Sequence, residues 1–254
     1  MKEKHNPLIL ALDVPKREEA LALVARLREY VGGFKVGLQL VNAAGPGILD
    51  DIRERGGRVF YDAKFHDIPH TVSGAVAEAV KHRVWMLNVH TLGGVEMMKA
   101  AVESARQTAA ACQVARPLLL GVTVLTSIDE ETLRLELQVE APLPAHVAHL
   151  ARLAQQAGLD GVVASPQEIR LIRAACGEDF LLVTPGVRPT WAAKQDQKRV
   201  LTPAEALQEG ADYLVIGRPL TQAPDPVAAA QRLLQECGQK LKGTAHATAS
   251  GTGN

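Results

Sequence analysis

Short apolar runs alternate with amphipathic helical stretches along the whole 254-residue chain, and this alternation limits the possible folds more than any other feature. The runs fall at residues 8–13, 34–37, 58–62, 85–90, 118–125, 161–164, 180–184 and 213–216, and each reads as a buried strand. Between them, apolar residues recur at helical spacing: Leu21, Val24, Leu27 and Val31 form one stripe, Val95, Met98, Val102 and Ala105 a second, and Leu150, Leu153, Ala154 and Ala157 a third. Eight strand–helix units in about 250 residues predict an α/β chain folded as a single-domain (β/α)8 TIM barrel over residues 1–242. A doubly wound open sheet is the alternative. Against it, the first strand runs into Leu12-Asp13-Val14-Pro15 and not into a Gly-x-Gly-x-x-Gly turn. No linker-like stretch divides the chain, and the Gly/Ser/Thr/Ala-rich residues 243–254 read as a disordered tail.

Composition removes several functions. Lys+Arg and Asp+Glu both number 28, so a zero net charge offers no footprint for nucleic acid or an acidic membrane. Aromatic residues at 4 % are too few for a base-stacking surface. Cys112, Cys176 and Cys237 are far apart and lack metal-ligand spacing, which predicts reduced, buried thiols and a cytoplasmic location. The apolar stretch near the N-terminus is too short for a signal peptide, and no run is long enough to span a bilayer. A soluble protein is expected.

Barrel enzymes carry their chemistry at the carboxyl ends of the strands, and the polar residues of this sequence gather there. Asp13 ends the first strand and Lys35 lies on the second. Asp62-Ala63-Lys64-Phe65-His66-Asp67-Ile68-Pro69 closes the third, Asn88 and His90 end the fourth, and Thr126 and Ser127 follow the fifth. Thr184-Pro185-Gly186 ends the seventh and Gly217-Arg218 the eighth. Strand alternation puts Asp62 and Lys64 on one face, while Asp67 lies beyond the strand end, so two carboxylates surround one ammonium. Plainer roles exist for several of these groups. Asp13 suits a helix cap, and Asp67 suits an N-cap with Pro69 just inside the helix. Lys35 is either a rim residue or the partner of a buried acid, with Gly33 and Gly37 leaving room around it, and the nearby Asp62 favours the second reading. His90 reads as a hydrogen-bonded residue. His66 and His70 bracket Asp67 off any regular helix face, so no metal site is expected.

The last third supplies an anion site. Gly186-Val187-Arg188-Pro189 opens a long polar loop through Lys194, Gln197, Lys198 and Arg199, a length that often marks a lid. Ile216-Gly217-Arg218-Pro219 then offers a glycine amide and a guanidinium where barrels commonly hold phosphate.

Taken in order, Leu12-Asp13-Val14-Pro15, Phe34-Lys35-Val36-Gly37, Asp62-x-Lys64-x-x-Asp67-Ile68-Pro69-x-Thr71, Val124-Leu125-Thr126-Ser127, Thr184-Pro185-Gly186-Val187-Arg188-Pro189, Asp196-Gln197 and Ile216-Gly217-Arg218-Pro219 resemble the bacterial orotidine 5'-phosphate decarboxylase family. The resemblance runs from residue 8 to about residue 237. It implies decarboxylation of orotidine 5'-monophosphate to UMP without cofactor or metal, by a homodimer with shared active sites. Lys35, Asp62, Lys64 and the partner's Asp67 would form an alternating charge network, with Lys64 as the proton donor to C6 and Asp62 facing the substrate carboxylate. Asp13 and Lys35 would hold the ribose together with Asp67 and Thr71 from across the interface, and Ile68 would line the partner's pocket. Thr126 would lie near the pyrimidine, and Arg188, Gln197, Gly217 and Arg218 would bind the phosphate side. Two residues depart from the family pattern: Ala63 stands where leucine is usual, and His70 where asparagine is usual. No phosphoribosyltransferase unit precedes the match, so a single-function polypeptide is expected.

Two competing readings remain at this point. Sugar-phosphate decarboxylases of the same superfamily, similar to 3-keto-L-gulonate 6-phosphate decarboxylase, use an acid on strand two to hold Mg²⁺. Lys35 occupies that place here and would repel the ion. A catalytically silent nucleotide-binding module is the other, and the intact Asp62, Lys64 and Asp67 argue against it.

Overall fold

A computed structural model of the chain describes residues 5–192 and 201–238. Eight parallel strands close into a barrel: β1 Leu8–Ala11, β2 Gly33–Gly37, β3 Val59–Phe65, β4 Met86–His90, β5 Leu118–Val122, β6 Gly161–Val163, β7 Leu181–Pro185 and β8 Tyr213–Ile216. β8 pairs with β1 in register Leu8 to Leu214 and completes the ring, so the open-sheet alternative is excluded. Helices follow every strand. All eight strands expected from the apolar runs are present. β3 is the one that differs most, continuing past Asp62 to Phe65.

Alternation sorts the core into two parts. Leu8 and Leu10 point outward into the large apolar layer between barrel and helices, whereas Ile9 and Ala11 join Phe60, Met86, Leu120, Val183, Tyr213 and Val215 inside the barrel. Continuing that inward parity by two residues leads from Ala11 to Asp13, from Phe60 to Asp62 and from Val215 to Gly217. The packed floor thus turns into the polar top through chain geometry alone.

At the opposite mouth, Trp85 meets Tyr213 edge-on at 5.2 Å and the Arg58 guanidinium lies 3.8 Å over the Trp85 ring. A side chain at Gly33 would come within 2.7 Å of Trp85, so this glycine makes room for the tryptophan and not, as the sequence suggested, for Lys35. Two ion pairs clamp the same end. Asp160 accepts from Arg116 and from the Leu119 backbone N–H, and Asp212 accepts from the buried Arg173 and from the Leu182 N–H. Each carboxylate so ties its own strand to the preceding one.

The helical stripes are largely as read, with one offset. Helix Gly94–Cys112 buries Met97, Met98, Ala101, Ser104, Ala105 and Ala109, leaving Val95 and Val102 only half-buried. This helix packs against helix Pro69–Lys81 as well as the barrel, and Ser104 Oγ donates to the Ser73 carbonyl at 2.7 Å. Of the three free cysteines, Cys176 and Cys237 are half-buried, but Cys112 is exposed, contrary to expectation. Among the described residues no helix is long and apolar enough to cross a membrane.

Candidate active site

A cavity of about 330 Å³ opens at the carboxyl ends of the strands. Asp13, Lys35, Asp62 and Lys64 line one wall, Leu125 and Thr126 another, and Gly186 and Gly217 the rim toward β7 and β8. A wider cleft continues outward past Gly217, with Arg188, Trp191 and Arg218 on its walls. The two spaces share Asp13, Gly186, Val215 and Gly217, so one elongated ligand can occupy both.

The charged wall is a chain of alternating signs. Lys35 Nζ donates to Asp13 Oδ1 at 3.1 Å and lies 3.2 Å from Asp62 Oδ2, and Lys64 Nζ donates to Asp62 Oδ1 at 2.7 Å. Gly37 gives Lys35 its space, since a methyl there would sit 3.3 Å from the ammonium. Burial works against the Lys35 ammonium, but the Asp62 and Asp13 carboxylates outweigh it and raise its pKa above the usual lysine value. Burial likewise opposes the Asp62 carboxylate, yet Lys35 and Lys64, aided by hydrogen bonds from Lys64 and Asn88, hold its pKa below the usual range. Both groups therefore stay charged across neutral pH.

A backbone irregularity delivers Lys64 to this wall. The pairing of β3 with β4 runs Tyr61 to Leu87 and then jumps to Phe65 with Val89, so residues 62–64 face the single residue Asn88. Lys64 sits at φ 50°, in the left-handed region that side chains rarely adopt. Asn88, fully buried, bridges the gap: its Oδ1 accepts from the Lys64 backbone N–H and its Nδ2 donates to Asp62 Oδ1, both at 2.7 Å. The sequence marks Asn88 as a polar strand end but carries no sign of this bridge, because the bulge that creates it is invisible to a period-two pattern.

The remaining candidates fall in three groups. Asp13 does not cap the first helix, whose N-cap is Lys16; its carboxylate belongs to the charged wall. Asp67, Ile68 and Thr71 lie outside the cavity on an exposed turn and helix start, with Ile68 65 % exposed. The N-cap of helix Pro69–Lys81 is Ile68 and not Asp67, although Pro69 does take the first helical position; the Asp67 carboxylate accepts from the Ile68 N–H at 2.6 Å. Gln197, with Lys194, Asp196, Lys198 and Arg199, lies outside the described residues. Thr184 is buried and absent from the cavity wall, which Pro185 at the end of β7 and the following Gly186 line. Ala63 is buried and also absent from that wall, as alternation required.

His90 accepts from the Leu92 N–H at 3.4 Å, and its ring stacks on His66 with centroids 5.3 Å apart. Burial, then His66 and Lys64, lower its pKa, so the His90 ring is kept uncharged at neutral pH. Among the described residues no cluster of three metal-ligating side chains occurs.

The sequence matches the Orotidine 5'-phosphate decarboxylase / HUMPS family over residues 6–233. It is 56 % identical over 231 residues to the orotidine 5'-phosphate decarboxylase of Moorella thermoacetica, covering 91 % of this chain and 92 % of that one. Identity to the enzyme of the same name from Syntrophomonas wolfei is 54 % over 230 residues, with 90 % and 96 % covered. The crystal structure of orotidine 5'-phosphate decarboxylase from Lactobacillus acidophilus superposes with a TM-score of 0.81 at 35 % identity, over 91 % of this chain and 99 % of that one. Fold and sequence agree, and the chain belongs to the orotidine 5'-phosphate decarboxylase / HUMPS family.

Proposed function

We propose that this chain decarboxylates orotidine 5'-monophosphate to UMP and CO2, the step that completes UMP in pyrimidine biosynthesis, in the cytoplasm and without a cofactor. The observation that carries the reading is the Lys64 ammonium held 2.7 Å from Asp62 on the charged wall of the cavity. The C6–carboxylate bond breaks with its electron pair left on C6, and a proton from Lys64 Nζ forms the new C6–H bond. The carbanion has no ring system to absorb its charge, so fixed protein charges take the part that an electron-sink cofactor plays elsewhere. Asp62 faces the substrate carboxylate and disfavours it, while Lys64 favours the carbanion that replaces it.

A charge pair at 4 Å interacts by about 4 kcal/mol at an effective dielectric near 20, well short of the ~20 kcal/mol that the largest enzymatic accelerations require. Binding of the phosphate supplies the rest by holding the ring in place. In this reading the pyrimidine lies by Thr126, the ribose by Asp13 and Lys35, and the phosphate in the outer cleft by Arg188, Gly217 and Arg218, with Gln197 as a further phosphate ligand. The exposure of Asp67, Ile68 and Thr71 fits a homodimer in which these residues complete the partner's site. The Lys35 ammonium, in the wall beside Asp62, argues against a divalent cation there and hence against the Mg²⁺-dependent sugar-phosphate reaction.

Loss of orotidylate absorbance with purified protein, in the presence and absence of excess EDTA, is the test. Turnover unaffected by EDTA is expected. An inactive protein, or one silenced by EDTA, overturns the reading.

A further inference from the structure

We infer that Asn88 is a positioning residue for this reaction: its carboxamide substitutes for the missing ladder pairing of β4 with β3 and so sets both Lys64 and Asp62. The inference rests on the reading of those two residues as the reacting pair.

Its basis is geometric. Asn88 extends the inward-facing row of β4 two residues above Met86, and across the next strand it pairs with the apolar Leu120. The charged groups before it are Asp62 and Lys64 on β3, with Lys35 on β2 behind Asp62; His90 follows on its own strand. The amide orientation is fixed by its partners, since the Lys64 N–H can only donate and the Asp62 carboxylate can only accept. One planar group thus controls two things at once. The oxygen holds the left-handed backbone of Lys64, from which the ammonium turns toward Asp62. The nitrogen anchors Asp62 Oδ1, the same oxygen that takes the Lys64 ammonium. Without the amide, Lys64 has no reason to keep a strained φ, and Asp62 is free to rotate toward Lys35. Asn88 bonds to the Asp62 carboxylate and to the Lys64 backbone and does not line the cavity, so it acts through these two residues.

The chemistry of the amide gives a test that packing alone does not mimic. In Asn88→Asp, the second carboxylate keeps the acceptor for Lys64 but turns the donor toward Asp62 into a like charge. One proton shared between the two acids restores the original pattern, because a protonated Asp side chain both donates and accepts. Activity of Asn88→Asp relative to the unaltered protein should therefore rise about tenfold as pH falls from 8 to 5.5. Asn88→Ala should lose about 100-fold in kcat with KM changed by less than about threefold, the mark of misplaced reacting groups with binding intact. Asn88→Ser provides the same kcat and KM comparison should the aspartate variant fail to fold. A pH-independent activity ratio for Asn88→Asp, or a kcat for Asn88→Ala within threefold of normal, overturns the inference. Lys64→Ala run alongside keeps the two readings apart. Turnover retained in Lys64→Ala removes the proton-donor assignment, whereas an inactive Lys64→Ala with a flat Asn88→Asp ratio removes Asn88 alone.

Discussion

The Lys64 ammonium lies 2.7 Å from the Asp62 carboxylate although the two residues are separated by only one position on the same strand. In a regular strand, such neighbours project in parallel about 7 Å apart and their charged tips are not forced together. Here the bulge opposite Asn88 and the φ of 50° at Lys64 turn the chain so that one side chain folds onto the other. A left-handed conformation costs a lysine about 1–2 kcal/mol, and it persists because the backbone N–H and the ammonium both find partners. Asp62 then has each oxygen engaged: Oδ1 with Lys64 and Asn88, Oδ2 with Lys35.

Replacing Lys64 separates chemistry from strain. Lys64→Ala should abolish turnover while UMP still binds, since in the proposed pose the ribose and phosphate contacts do not involve the ammonium. Alanine inherits the same unfavourable φ, but glycine does not. Lys64→Gly should therefore be equally inactive and more stable than Lys64→Ala by about 1 kcal/mol in urea unfolding. Measurable turnover in either variant would remove Lys64 as the proton donor.

Arg218 follows β8 after Gly217 and is an exposed residue lining the outer cleft. In the proposed pose, truncating it removes a charge-assisted contact to phosphate. Arg218→Ala should lower kcat/KM by about 100-fold, equivalent to roughly 3 kcal/mol. Added phosphite should partly restore decarboxylation of a substrate that lacks its phosphate. No activation by phosphite at any concentration would argue against phosphate binding as the source of the missing stabilisation.

Subunit mixing examines the proposed shared site. If the proposed homodimer forms, Lys64→Ala and Asp67→Ala proteins should each be inactive on their own. A hybrid of the two carries one site with both substitutions and one with neither. With equal, random exchange half the dimers are hybrids, so about a quarter of normal activity should return. A mixture that stays dead after exchange is verified by mass would show that Asp67 acts within its own chain.

Eight strands and the charged residues at their ends were readable from the sequence because both follow simple rules. Strand positions come from apolar run length, and the inward parity of Asp13, Asp62 and Gly217 comes from counting by two from Ala11, Phe60 and Val215. What stayed hidden depends on contacts between distant segments. Gly33 looked like space for Lys35 and instead accommodates Trp85, a residue 52 positions away. Asn88 looked like one more polar strand end, and its bridge exists only because β3 carries extra residues opposite it. The burial of Met97 and Ala101 in place of Val95 and Val102 reflects a neighbouring helix that no single-helix pattern contains.

Gly37 tests how tightly the wall is built. Its φ of −102° suits any residue, so an added methyl strains nothing in the backbone. That methyl would lie 3.3 Å from Lys35 Nζ and 3.8 Å from Asp13 Oδ1, crowding the ammonium and displacing it from its two carboxylates. Gly37→Ala should reduce kcat/KM about tenfold with little change in Tm, as expected for a small displacement of a positioned charge. Full activity would mean that Lys35 tolerates movement and contributes mainly by its net charge.

A half-buried acid outside the charged wall contributes to how stability responds to pH. Glu168 ends the turn that follows β6, where its carboxylate accepts from the Ser165 N–H at 2.9 Å. Burial pushes its pKa up to about 7, against that hydrogen bond, from 4.5 in the ordinary case. Between those values the unfolded chain has released the proton and the folded one still holds it. Folding stability contributed by this group is therefore present below pH 4.5 and declines as pH rises toward 7, levelling off above. Glu168→Gln retains a carbonyl oxygen for the Ser165 N–H and has no proton to lose. Its stability relative to the unaltered protein should improve by about 2 kcal/mol between pH 5 and pH 8 in urea unfolding, with the gain concentrated below pH 7. Parallel pH profiles for the two proteins would mean that Glu168 ionises in the folded state as easily as in the unfolded one, and that water reaches it.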